Sequence, residues 1–144
     1  MKQWRSAPWC IALKRHEAFL DWDRVATLLR PAIEKSRGGA TVDDIYEMVM
    51  NDEVFIMVMG IAEEWVLAVA FAVHTTPQYK VLDLLYVGGK HAALFFHHYS
   101  GNVKEFARNM GCQYIQGYCG DAELRLFSRM AKFEKLYTVI RVKA

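Results

Sequence analysis

Three consecutive runs dense in β-branched and aromatic residues, Val54–Met59, Trp65–Thr75 and Tyr79–Val87, are parted only by short turns. No other feature of the chain restricts its fold as much. Runs of this length and composition read as strands, and connections too short for a crossover force neighbouring strands antiparallel. The turn between the first two contains Gly60, and Thr75-Thr76-Pro77 separates the second from the third. A three-stranded meander follows, and its last strand runs into Gly88-Gly89.

The flanking sequence changes period. Trp9–Leu13 is a short apolar segment suited to a first strand, whereas Val25, Leu28, Leu29 and Ile33 recur at helical spacing and predict a helix over Trp22–Lys35. Pro31 is expected to kink or split that helix, and Gly38-Gly39 to end it. Thr41 is placed as an N-cap, with Asp43 and Asp44 in the first turn where the helix dipole favours carboxylates, and the second helix ends near Asp52. After the meander comes a long helical stretch with its core at Val103–Met110. Gln113–Cys119 then reads as a strand, Asp121–Met130 as an amphipathic helix and Leu136–Val142 as a last strand. The expected order is β-α-α-β-β-β-α-β-α-β: an α/β (α+β) chain with a mixed, mostly antiparallel central sheet flanked by helices.

A length of 144 residues predicts one domain spanning 1–144. The 53% hydrophobic content supplies a core and excludes a disordered chain. The longest apolar stretches are broken by Glu63 and Glu64 and fall short of the ~20 residues that cross a bilayer, so no membrane association is expected. Without a signal-peptide pattern at the start, the expected location is a cytoplasm. Cys10, Cys112 and Cys119 are odd in number and lack C-x-x-C spacing, which indicates neither a disulfide framework nor a zinc site. His97 and His98 would point about 100° apart on a helix and are poorly arranged to share an ion, so no metal is expected. Residues 1–78 carry 8 basic and 11 acidic side chains, and residues 79–144 carry 10 basic and 5 acidic. The basic half suits a phosphate-bearing ligand or an acidic partner, as it suits an ordinary solvated face. No basic run points to nucleic acid.

The ordered features after the meander carry a resemblance. A double glycine, a helix ending in Met110-Gly111, a short strand, Gly120-Asp121, a helix and a final strand resemble the GNAT superfamily of acyl-CoA-dependent N-acyltransferases across nearly the whole chain. The segments "LLYVGGKHAAL", "ARNMGCQYIQGYCGDAELRLFSRM" and "KFEKLYTVIRVK" are similar to small GNAT-like proteins of tailed bacteriophages.

That resemblance implies that Tyr79–Val87 splays from Gln113–Cys119, and that the pantetheine arm of acetyl-CoA lies in the notch. Its binding residues would be Leu85, Tyr86, Val87, Gly88, Gly89 and Lys90. Free N–H groups at a helix start would hold the pyrophosphate, Lys90 would add a charge, and the glycines would let backbone approach the ligand. Asp83 is the implied general base, with His74 near the end of the neighbouring strand as a second candidate.

The sequence also departs from the family. It has Gly88-Gly89-Lys90-His91-Ala92-Ala93 where an Arg/Gln-x-x-Gly-x-Gly/Ala loop is usual. Asp121, Ser128 and Lys132-Phe133 stand where the family has asparagine, a general-acid tyrosine and Gly-Phe. The reading that follows is a phage-encoded protein with a degenerate acyl-CoA site. It would act in the virion or head assembly, partner phage structural proteins, and sit in the host cytoplasm or be packaged in the virion. The alternatives are an active N-acetyltransferase acting on a protein or small amine, and a phage protein that binds a host factor.

Overall fold

The computed structural model describes residues 7–36, 39–119, 125 and 133–144. Among them the elements run β1 (Pro8–Leu13), α1 (Arg15–Leu20), α2 (Trp22–Lys35), α3 (Val42–Met50), β2 (Val54–Ile61), β3 (Glu64–Thr75), β4 (Lys80–Gly89), α4 (Ala92–Asn109) and β5 (Tyr114–Gly117). The expected helix over 121–130 and the positions of Asp121, Ser128 and Lys132 lie outside the described residues, Arg125 alone excepted.

The sheet has the order β1-β2-β3-β4-β5. The first four strands pair antiparallel, and β5 joins β4 in parallel. Helix α4 is the connection that a parallel pair requires. Strand alternation sends Met57, Met59, Val69, Phe71 and Leu82 to one face, where Phe95, Phe96, Val103 and Ala107 of α4 cover them. Ile56, Val58, Ala68 and Ala70 point to the other, against Val25, Leu29 and Ile33 of α2 and Ile45 and Val49 of α3. Val25 and Leu29 are fully buried, and side chains of this kind each stabilise the fold by roughly 1.5–3 kcal/mol. At the sheet edge, the Trp9 ring lies flush on Gly60 and leaves no room for a side chain there, while its indole N–H donates to the Ala62 carbonyl at 2.6 Å.

Several local expectations are corrected. Three helices, not two, separate β1 from β2, because Arg15–Leu20 forms a short helix of its own. The Lys14 N–H donates to Glu17 Oε1 at 2.9 Å, and Ala18 is buried beneath it. Pro31 neither splits nor ends α2. It sits on the exposed side, so the carbonyl that loses a donor one turn earlier faces water. Thr41 caps α3 as expected: its Oγ1 accepts from the Asp44 N–H at 3.1 Å, and Asp44 Oδ2 accepts from the Thr41 N–H at 2.8 Å. The segment Leu136–Val142 forms no strand. Its β-prone composition becomes a strand only when paired, and no strand pairing involves it among the described residues.

Candidate functional site at the parting of two strands

The two strands at the parallel end of the sheet share only four rungs, from Val81 opposite Tyr114 to Leu84 opposite Gly117. Beyond Leu84 no strand of the described residues lies on that side of β4, although β4 continues to Gly89. On its other side β4 stays paired with β3, and there the register jumps: Leu84 faces Phe71 and Tyr86 faces Ala70, so Leu85 is an extra, bulged residue. A bulge adds local twist and bends its strand. It falls where β4 and β5 separate, and it explains why Leu85 and Tyr86 both pack on the α2 side of the sheet while Leu84 and Val87 pack on the α4 side. The result is a notch with the main chain of residues 85–89 along one wall.

Behind the notch lies the start of α4. His91 holds a left-handed conformation with φ 66° and hands the chain into the helix, whose first intrahelical bond runs from the Phe95 N–H to the His91 carbonyl at 3.0 Å. The N–H groups of Ala92, Ala93 and Leu94 therefore have no acceptor within the helix. No acidic residue stands in this first turn, and Lys90, next to it, is exposed.

The double glycine serves the fold directly. A side chain on Gly88 would run into the Leu28 carbonyl oxygen of α2, and one on Gly89 would meet the Val66 carbonyl oxygen of β3. Gly89 also has φ 118°, a region that β-carbons disfavour. The Lys90 N–H donates to Val66 O at 2.7 Å. The backbone of 88–90 is thus drawn towards α2 and β3, and the donors best placed for an anion are those of residues 92–94, which the sequence reading did not name.

Asp83 sits one residue before the last shared rung, opposite Ala72 on β3 and Gln116 on β5. Its Oδ1 is buried with no hydrogen-bond partner, an arrangement that costs free energy unless a donor arrives. His74, opposite Val81, is two positions along on the same face and exposed. Diagonal neighbours of this kind stand roughly 7–8 Å apart at the backbone, within reach of aromatic and long side chains.

Strand parity adds residues that the sequence reading passed over. Tyr114 and Gln116 share the face of Asp83, and Tyr79 meets Tyr114 edge-on at 5.2 Å. Tyr118, just past the parting point, has its hydroxyl pushed above the usual phenol value, first by a hydrogen bond with Tyr137 and also by the nearby Asp83 carboxylate. The alternation Tyr114, Gln116, Tyr118 was the available signal. Among the described residues no group of three or more His, Cys, Asp or Glu is placed to hold a metal ion, and no helix is long and apolar enough to cross a membrane.

Solved structures share this fold. An aminoglycoside acetyltransferase from an uncultured soil metagenomic sample, in complex with sisomicin, superposes with a TM-score of 0.69 over 95% of this chain and 96% of its own, at 7% identity. The fold is that of the GNAT acetyltransferases. An aminoglycoside N-acetyltransferase in complex with CoA matches with a TM-score of 0.64 at 12% identity, covering 96% of this chain and 95% of its own. A GNAT family acetyltransferase of Staphylococcus aureus matches with a TM-score of 0.59 at 9% identity, covering 95% and 99%. No family model matches the chain, and no curated protein matches its sequence. The GNAT likeness therefore resides in the architecture, and the chemistry has to be argued from the notch.

Proposed function

We propose that this protein is an acyl-CoA-dependent N-acetyltransferase. One observation carries the reading: the buried, unpartnered Oδ1 of Asp83 lies one residue before β4 and β5 part. A fold does not by itself bring a function, but an orphaned carboxylate oxygen beside a free strand edge is an acceptor that lacks its donor.

The residues present fit acetyl-CoA, which when bound supplies a thioester carbonyl as the acyl donor. The main-chain groups of Leu85, Tyr86 and Val87 that point away from β3 would hydrogen-bond the amides of the pantetheine arm as a partner strand does. The N–H groups of Ala92, Ala93 and Leu94 would take the pyrophosphate, with the helix dipole and Lys90 adding positive potential. Asp83 would accept an N–H of the acceptor amine at Oδ1 and take its proton as the amine becomes a nucleophile. His74, on the same face, is placed to orient that amine directly or through a water. Tyr118 stays protonated at neutral pH and can serve as a hydrogen-bond donor on the same side.

A role in head assembly or in binding a host factor draws support from the sequence resemblance alone, whereas acyl transfer also draws on the fold and the notch. The test is a calorimetric titration with acetyl-CoA, followed by a thiol-release assay against a panel of amines that includes sisomicin and a polyamine. Saturable binding with amine-dependent release of CoA is expected. Absence of binding at millimolar acetyl-CoA would remove the proposal.

A further inference from the structure

A groove of about 200 Å³ opens between β1 and the C-terminal half of α4, and the acyl-transfer reading makes no use of it. Its floor follows from strand pairing. Cys10 stands opposite Met59 and Ala12 opposite Met57, and directly opposed residues share a face. Met57 and Met59 lie in the cluster beneath α4, so Cys10 and Ala12 look to that side as well. Their short side chains leave a hollow, and Phe106 bounds it from the helix, its ring held edge-on to Phe55 at 5.9 Å and tilted against Phe71 at 6.2 Å. The floor is uncharged, because burial pushes the Cys10 thiol up to about 11. The groove is separate from the notch: β1 is the edge strand opposite β5, and residue 102 lies roughly 12 Å beyond residue 94 along α4, at about 1.5 Å per residue.

The rim is polar and comes from a single helix. Asn102, Glu105 and Asn109 recur at i, i+3 and i+7, a spacing that aligns side chains on one face. None of the three side chains has a hydrogen-bond or ion-pair partner among the described residues. Glu105 is the one charged residue in the lining. Gly101, one turn before it, stands inside α4, where glycine weakens a helix. A side chain there would meet nothing, so packing does not demand the glycine, and its absence leaves the approach to Glu105 open.

We propose that this groove binds a small organic monocation with a flat apolar body, an arylalkylammonium. An ammonium carries three donors and no acceptor, which suits the Glu105 carboxylate and the amide oxygen of an asparagine one turn away. The ring would lie on Met57 and Phe106, since thioether and aromatic surfaces favour an aromatic partner. The volume falls below the roughly 300–1,000 Å³ of pockets that hold drug-sized ligands, which limits the occupant to one ring and a short chain. An anion of the same shape would meet like charge at Glu105. This site does not depend on the acyl-transfer reading.

The test uses the full chain with ¹⁵N in its asparagine side chains. Of the three asparagines, Asn102 and Asn109 flank the groove, and Asn51, at the end of α3, serves as an internal control. Titration with phenethylamine should shift the side-chain amides of Asn102 and Asn109 saturably and leave Asn51 unmoved. Phenethyl alcohol should bind more weakly, and phenylacetate should not bind. Glu105→Gln, at an exposed position, should weaken the amine roughly three- to fivefold, the scale of an exposed ion pair, and leave the alcohol unchanged. Ala12→Trp, at an exposed position of β1, should fill the groove and abolish binding of both. Asp83→Asn should leave all these shifts in place, which separates the groove from the notch. Equal binding of the three probes overturns the proposal, as do shifts that survive both groove variants or vanish in Asp83→Asn. Asparagine amides that move with protein concentration and not with phenethylamine would show the groove covered by a second copy, and would equally overturn it.

Discussion

Leu84 stands opposite Gly117 at the last rung that β4 and β5 share, and the next residue, Leu85, bulges out of the ladder with β3. Separation on one side of β4 and irregularity on the other coincide at a single peptide unit. The bend and the free edge therefore have one origin, and Asp83, the residue before Leu84, is held at the mouth of the notch by ordinary strand geometry.

Asp83→Asn keeps the shape of the side chain and removes the proton acceptor. Turnover with amine should fall by about 10²–10⁴-fold, the usual contribution of a general base, while the dissociation constant for acetyl-CoA stays within a factor of two or so. Calorimetry alongside steady-state kinetics separates the two quantities. Unchanged turnover would take Asp83 out of the chemistry.

Gly88→Ala should destabilise the fold, because its new methyl group meets the Leu28 carbonyl oxygen on the backbone of α2, which cannot rotate away. A loss of roughly 1–3 kcal/mol, the usual cost of forcing extra volume into a packed site, should appear as a lowered denaturation midpoint. Gly89→Val would behave similarly for a second reason, its φ of 118°. Neither substitution leaves the fold intact enough to probe ligand binding alone, contrary to what the double glycine suggests when only a ligand is considered.

How far the sequence discloses this protein depends on which interaction sets each feature. The meander was legible because Val54–Met59, Trp65–Thr75 and Tyr79–Val87 alternate or run apolar between short turns, a purely local signal. The Thr41 cap was legible for the same reason, since both its partners lie within three residues. Helix α1 was missed because its six residues carry little periodicity, and it rests on the burial of Ala18 beneath its neighbours. The roles of Gly88 and Gly89 were not legible, because Leu28 and Val66, which fill the space beside them, are distant in sequence. The Leu85 bulge and the orphaned Asp83 oxygen were invisible too: both arise from pairing across strands.

Thr41→Ala removes one half of a reciprocal pair of bonds at the start of α3. Loss of an N-cap of this kind costs about 0.5–2 kcal/mol, and thermal denaturation should show it, with Thr41→Ser recovering most of the loss. An unchanged melting temperature would mean that water replaces the cap without penalty.

The Cys10 thiol, half-buried between the sheet and α4, is pushed by burial up to about 11. A thiol in the unfolded chain ionises near its ordinary value of 9.0, so the folded form holds its proton over a range where the unfolded form has lost it. The stability this contributes is complete below pH 9 and is lost as pH rises through about 11. Wild-type protein should therefore lose melting temperature more steeply over that interval than Cys10→Ala does. Parallel curves would assign the alkaline loss to other groups.

The central claim, that the β4 edge beyond Leu84 and the start of α4 form the coenzyme site, is tested most directly by hydrogen exchange with and without coenzyme A. The account predicts slowed exchange at residues 85–87 and 92–94, with β1 and β2 unchanged. Exchange unaltered by saturating coenzyme A, or slowed only at residues distant from this notch, would contradict it.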